Sequence, residues 1–208
     1  MEISASERRP IAARSSAWAK WLAARLARSS VTPNQISLLS ILFAAIGGCL
    51  PFWGRGWAIW IGAAGCVQLR LVCNLMDGMV AIEGGKSSPV GALYNEFPDR
   101  LADSVLFIPL GYAAGMPWLG WATALVAALT AYIRVFGGAL GQAQDFSGVM
   151  AKQKRMAVLT VGLLAQAAED QFVGTRYSLL FTLLIILLGS AFTCWTRTLR
   201  IARRLQTG

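Results

Sequence analysis

The chain has 208 residues, 56% of them apolar and only 14% charged, with a net charge of +9 and a mean hydropathy of +0.54. Soluble domains carry about 25% charged residues, so the composition points to an integral membrane protein with room for one domain of about six spans at roughly 20 residues each. The basic excess does not call for nucleic acid: Lys and Arg collect on the cytoplasmic side of membrane proteins, and no basic stripe here is interleaved with aromatics.

Residues 1–15 are polar and basic and read as a tail without an apolar leader run, so no cleaved signal peptide is expected. Residues 16–28 place Trp18, Trp21, Leu22 and Leu26 near one helical face, with Lys20, Arg25 and Arg28 off it. That pattern predicts an amphipathic helix lying in the membrane interface. "VTPNQIS" then offers Thr32 and Pro33 as a helix start. The expected organisation is a cytoplasmic tail and interfacial helix over 1–30, and a six-helix transmembrane domain over 31–208.

Apolar segments follow at 36–53, 57–82, 93–115, 117–142, 156–172 and 176–196, the first expected to break at Pro51. Trp53, Trp57, Trp60, Trp118, Trp121 and Trp195 fall at span ends and read as interfacial belt residues. Gly47, Gly48, Gly62, Gly65, Gly137, Gly138 and Gly141 read as helix-packing positions. Cys49, Cys66, Cys73 and Cys194 form no CxxC pair, and no His completes a zinc site, so they read as small buried hydrophobes. Without His, proton transfer falls to a carboxylate, Lys, Tyr or water.

The basic residues test the span count. They gather before the first segment (Arg8, Arg9, Arg14, Lys20, Arg25, Arg28), in the fourth connection (Lys152, Lys154, Arg155) and after the last segment (Arg197, Arg200, Arg203, Arg204). The first connection has Arg55 alone, the third no charge, and the fifth Arg176 offset by Glu169 and Asp170. Six spans with both termini cytoplasmic fit this alternation. The stretch "NLMDGMVAIEGGKSSPVGALYNEFPDRLAD", Asn74 to Asp103, then lies at the membrane–cytoplasm boundary, within reach of a water-soluble substrate.

In that stretch Asn74 and Asp77 are three residues apart and share a helix face. Gly91, Asn95, Asp99 and Asp103 recur at intervals of four and form a stripe on the next helix. Two antiparallel helices joined by the short "EGGKSSPVG" loop would point Asn74, Asp77, Asn95 and Asp99 at one another. Helix caps and boundary charges are the bland alternative, but caps do not require two facing stripes. Crowded carboxylates need cations, and oxygen-only donors suit Mg²⁺, Mn²⁺ or Ca²⁺. Such an ion can in turn clamp a diphosphate.

The same residues resemble the signature of the CDP-alcohol phosphotransferase family of integral membrane enzymes. That signature runs Asp, two residues, Asp-Gly, two residues, Ala-Arg, about eight residues, Gly, three residues, Asp, three residues, Asp. Here it reads Asn74, Asp77-Gly78, Ala81-Ile82, Gly91, Asn95 and Asp99. The chain departs from it in two asparagines and in Ile82. The resemblance implies a phosphatidyl or similar transfer from a CDP-linked lipid donor to an alcohol acceptor, by a multi-pass, homodimeric protein of the bacterial inner membrane with a cytoplasmic active site. It further implies two Mg²⁺ or Mn²⁺ ions held by Asn74, Asp77, Asn95 and Asp99, with Asp103 as an added candidate ligand that restores a missing charge. Asp99 would be the base, and Gly78, Ala81 and Gly91 would lie against nucleotide and diphosphate; Arg70, on the same helix face by spacing, would pair with a carboxylate or the diphosphate. Arg134, Lys152, Lys154 and Arg155 would hold the acceptor or its phosphate. Two other readings stay open: a relative that binds nucleotide or lipid without turnover, and a transporter whose polar residues line a path.

Overall fold

The computed structural model describes residues 12–54, 56–86 and 89–207, and the regular structure among them is entirely helical. A 3-10 turn, Ala12–Ser15, precedes α1 (Ala17–Ala27), α2 (Pro33–Trp53), α3 (Trp57–Glu83), α4 (Gly91–Ala113), α5 (Pro117–Ala139), α6 (Lys152–Phe172) and α7 (Tyr177–Thr207). The first part of the expected tail, up to residue 11, and Arg55 lie outside the described residues.

The shortest of α2 to α7 has 21 residues, or about 32 Å at 1.5 Å per residue, the thickness of a hydrocarbon layer. Among the described residues, four helices (α2, α3, α5 and α7) are also apolar enough to cross a membrane. α4 and α6 match them in length but carry the charged residues of the site, including Asp99, Arg100 and Asp103 on α4 and Lys152, Lys154 and Arg155 on α6.

Local signals set the helix starts. The Thr32 hydroxyl accepts from the Gln35 amide at 3.2 Å, the Gln35 side chain accepts from the Thr32 amide at 2.9 Å, and Pro33 opens α2. Three boundaries differ from the sequence reading. α2 runs through Pro51 to Trp53, because a proline in the last turn removes a single backbone bond at a place where the helix is ending anyway. α6 begins at Lys152 rather than 156, which puts Lys152 and Arg155 on its first turn. α7 continues past residue 196 to Thr207 and carries Arg197 and Arg200 with it.

Packing closes the helices into a ring. α2 lies against both α3 and α4, α3 meets α6, α6 meets α7, α7 meets α5, and α5 returns to α4. The sequence reading placed α3 and α4 face to face as a hairpin, but their backbones stand apart with α2 packed against both, and they meet through the long Arg70 side chain. Their polar faces therefore look into the ring rather than directly onto each other. Trp60, Val67, Leu106, Phe107, Leu110, Leu159, Leu163 and Leu183 fill the apolar part of the interior.

In lipid, apolar surface gains little by leaving the solvent, and helix association rests on close packing of small residues. Two glycines do this around α4. A Cβ on Gly48 of α2 would stand 2.5 Å from the Val105 carbonyl, and one on Gly120 of α5 would stand 2.7 Å from the Phe107 carbonyl. Outside the ring, Leu42, Leu125, Phe181, Ile185, Leu188 and Phe192 are exposed, as a lipid-facing surface requires.

α1 packs on α3. Its buried face is Ala19 and Ala23, flanked by half-buried Leu22 and Leu26, while Trp18 and Trp21 point outward. The four apolar residues of the expected stripe therefore divide between protein contact and surface. Small alanines let α1 lie close to α3, and the indoles are left for the interface.

Candidate active site

Asp77 sits near the C-terminal end of α3, 7% exposed. Its Oδ2 accepts from the Ser37 hydroxyl of α2 at 2.8 Å, and its Oδ1 accepts from the Gly78 amide at 2.6 Å. Asn74 lies one turn earlier, and its side-chain Nδ2 is buried without a partner. Facing them from α4 is Asp99, whose Oδ1 accepts from Lys152 Nζ of α6 and whose Oδ2 lies 3.6 Å from Arg100. The Lys152 ammonium is thus paired with Asp99, on the α4 side of the site.

One turn along α4, Asp103 is 1% exposed and is bound on both oxygens: Arg70 of α3 donates to Oδ1 at 2.5 Å and Arg155 of α6 to Oδ2 at 2.6 Å. Arg70 also reaches the Asp99 carbonyl at 3.4 Å and Met156 Sδ at 3.1 Å. This buried triad ties α3, α4 and α6 together across the ring. It takes up the carboxylate that the sequence offered as an added metal ligand, and of the two partners expected for Arg70, a carboxylate or the diphosphate, it supplies the carboxylate.

Beyond the triad a cavity of about 220 Å³ opens between α4, α5, α6, α7 and the α5–α6 connection. Arg100, Arg134, Lys152, Lys154, Arg155 and Arg197 line it, and no carboxylate is among its described lining residues. Arg134 donates to Glu96 at 2.5 Å and to Gln144, and lies 4.9 Å over the Phe146 ring. Arg197 of α7 donates to the Thr130 carbonyl at 2.5 Å and to the Ser147 carbonyl at 2.8 and 2.9 Å. These contacts fix the guanidinium planes in advance, which suits them to an oxyanion. Lys154 is exposed and donates to the Gly148 carbonyl at 3.2 Å, at the rim.

The structure thus brings together Asn74, Asp77, Asp99, Lys152 and Arg155 from the sequence-derived set, with Arg134 on the far wall of the cavity. Gly78 and Ala81 lie on α3 below Asp77, where a Cβ on Gly78 would stand 3.7 Å from the Arg14 guanidinium. Gly91 opens α4, and the side chain of Asn95 lies outside the described residues. Ile82, in the signature's Arg position, is half exposed.

Sequence reasoning missed Ser37, Arg100, Arg197 and Arg14. Arg100 had a signal, four residues after Glu96 and beside Asp99. Arg197 had been absorbed into the terminal positive charge because the apolar run ends one residue before it.

The donor set fits a hard divalent cation. Asp77 and Asp99 supply carboxylate oxygens, and turning the orphaned Asn74 amide over would present its oxygen where the nitrogen now stands unpartnered. Among the described residues, however, no three acidic or thiol side chains converge as one ligand group.

No protein-family model matches the chain. It is 34% identical over 151 residues to a bifunctional IPC transferase and DIPP synthase of Rubrobacter xylanophilus, covering 70% of this chain but only 34% of that protein. The chain therefore spans about a third of that relative's length. It is 27% identical over 193 residues to the phosphatidylinositol phosphate synthase of Streptomyces avermitilis, covering 87% of this chain and 76% of the relative. In fold it resembles the phosphatidylinositol phosphate synthase of Mycobacterium tuberculosis at 20% sequence identity. The TM-score is 0.72 against the form with CDP-DAG bound, over 88% of this chain and 92% of that one. It is 0.73 against the complex with manganese and citrate, over 88% of each chain.

Proposed function

We propose that the chain is a member of the CDP-alcohol phosphotransferase family and that it transfers a phosphatidyl group from CDP-diacylglycerol to a phosphorylated polyol, releasing CMP. The observation that carries the acceptor class is the cavity lined by Arg100, Arg134, Lys152, Lys154, Arg155 and Arg197, two of which, Lys152 and Arg100, also pair with Asp99. An unphosphorylated alcohol gives that many cations nothing to bind. A phosphate monoester does, through charge-assisted bonds to guanidinium groups already held in place.

The relatives support the donor and the metal. The Mycobacterium tuberculosis synthase has been solved with CDP-DAG and with manganese. In this chain Asn74, Asp77 and Asp99, with Asn95 by the signature spacing, would hold a divalent ion, which supplies charge neutralisation at the donor diphosphate. The chain's own residues do the rest. The cationic cavity seats the acceptor phosphate and so holds a hydroxyl toward the donor. Asp99 takes the proton from that hydroxyl as its oxygen bonds to the phosphatidyl phosphorus. The bond from that phosphorus to CMP breaks, and CMP leaves. Asp103, between Arg70 and Arg155, fixes the two helices that present Asp77 and Lys152. All six long helices, α4 and α6 included, cross a cell membrane with both termini cytoplasmic, and the site opens on that side. A bacterial inner membrane and a homodimer complete this reading.

The test is CMP release by the detergent-purified chain from CDP-diacylglycerol, with glycerol phosphate, inositol phosphate and the same alcohols unphosphorylated. Release should require Mg²⁺ or Mn²⁺ and a phosphorylated acceptor, and Asp99→Asn should lower it by at least about 100-fold. Nucleotide binding without CMP release on any acceptor would favour the reading that the two asparagines suggest, binding without turnover.

A further inference from the structure

We infer that this chain holds a single divalent ion, and that the Lys152 ammonium stands in the place of a second. The inference rests on the functional reading above and departs from the two-ion cage that the family resemblance implies.

Charge sets the count. A cage of four aspartates balances two divalent ions. Here two of the four signature positions are Asn74 and Asn95, neutral at any working pH, which leaves Asp77 and Asp99 as its carboxylates. Asp103 does not restore the loss, because Arg70 and Arg155 hold both of its oxygens within 2.6 Å. Nor do three acidic side chains converge among the described residues. Against these two carboxylates, one divalent ion and the Lys152 ammonium already leave a net positive charge, which falls to the donor diphosphate. A second ion would leave its charge uncompensated in a site where Asp77 and Asp99 are each less than a tenth exposed.

Lys152 then supplies what a second ion would have supplied. It opens α6, its side chain is 8% exposed, and it donates to Asp99 Oδ1. Lys152 and Arg155, on the first turn of α6, thus pair with Asp99 and Asp103 on successive turns of α4. Lys152 also lines the cationic cavity, and so joins the cation site to the acceptor site as a bridging ion would. The unpartnered amide of Asn74, beside Asp77 on the α3 side, marks where the one ion goes: the Asn74–Asp77 edge, away from Lys152.

The experiment counts Mn²⁺ on the purified full chain, by loss of the free-ion EPR signal during titration and by the spectrum of the bound ion. The native chain should bind one Mn²⁺ with an isolated-ion spectrum. The triple variant Asn74→Asp, Asn95→Asp, Lys152→Gln, shown folded by its elution and thermal melt, should bind two, magnetically coupled as ions about 4 Å apart are. Two coupled ions on the native chain would overturn the inference, as would a folded triple variant that still binds one. The count is independent of turnover. Two ions with CMP release intact sinks this inference alone, whereas one ion without CMP release sinks the functional reading alone.

Discussion

Asp77 and Asp103 are both buried aspartates, yet they are built for opposite purposes. Asp103 is neutralised on each oxygen by a buried guanidinium. Asp77 has a hydroxyl and its own backbone turn as partners. Removing the charge at Asp103 leaves Arg70 and Arg155 as uncompensated buried cations, and breaking such a group costs about 3–5 kcal/mol. Asp103→Asn should therefore lower the melting temperature in detergent sharply, while Asp77→Asn should leave the melt near native and lose metal affinity. Equal melts for the two variants would refute this division. The sequence could not have separated them: both stand on the polar stripe at helical spacing, and only the arrival of Arg155 from a helix some fifty residues away decides which one is closed. The signature spacing offered Asn74 and Asp77 as neighbours on one helix face, which short-range helical geometry suffices to give, and Asp99 on the next helix. It was silent on Ser37 and Arg197, whose chemistry comes from packing between elements far apart in the chain.

The α5–α6 connection behaves as a strap across the inner end of α7. Arg200 donates to Asp145 Oδ2 at 2.7 Å, and Asp145 also accepts from the Ser147 amide and hydroxyl at 2.8 and 2.5 Å. Partial burial pushes the Asp145 carboxyl up, but the bonds from Ser147 and Arg200 outweigh it and hold the carboxyl below the usual carboxylate range. The sign follows from linkage: a depressed folded value gives stability that is complete above the ordinary value of about 3.9 and is lost as the pH falls through the folded value beneath it. Thermal melts of the native chain should thus weaken below about pH 4, and Asp145→Asn should remove the part of that slope due to this group. An unchanged slope in the variant would show that the strap carries none of it. The strap was not legible in the sequence because "AQDFSGVMAKQKR" has turn composition and no periodicity. Its order comes from α7, whose extension past residue 196 was itself hidden behind a polar, basic composition.

At the scale of the whole molecule, the apolar segments gave the number and rough limits of the long helices, and the basic residues gave the expectation that both termini are cytoplasmic. In a background lacking the four native cysteines, Cys at Gly115 should label from the face opposite to tags at residues 1 and 208. Labelling from the same face would defeat the six-span topology. The ring order was beyond the reach of pattern, since composition says which helices are apolar but not which of them meet. That order has a consequence for how the protein is made. When α2 to α5 have left the ribosome, the contacts available to them form an open arc, α3–α2–α4–α5, with Asp77, Asp99, Arg70 and Asp103 on its unfinished side. Lys152 and Arg155 reach them only when α6 docks on α3, and the arc shuts only when α7 reaches α5. The last hairpin to be synthesised is a keystone, and until it is seated the nascent chain keeps a half-neutralised polar seam open along its length, which is the interval in which an insertion chaperone would find something to hold.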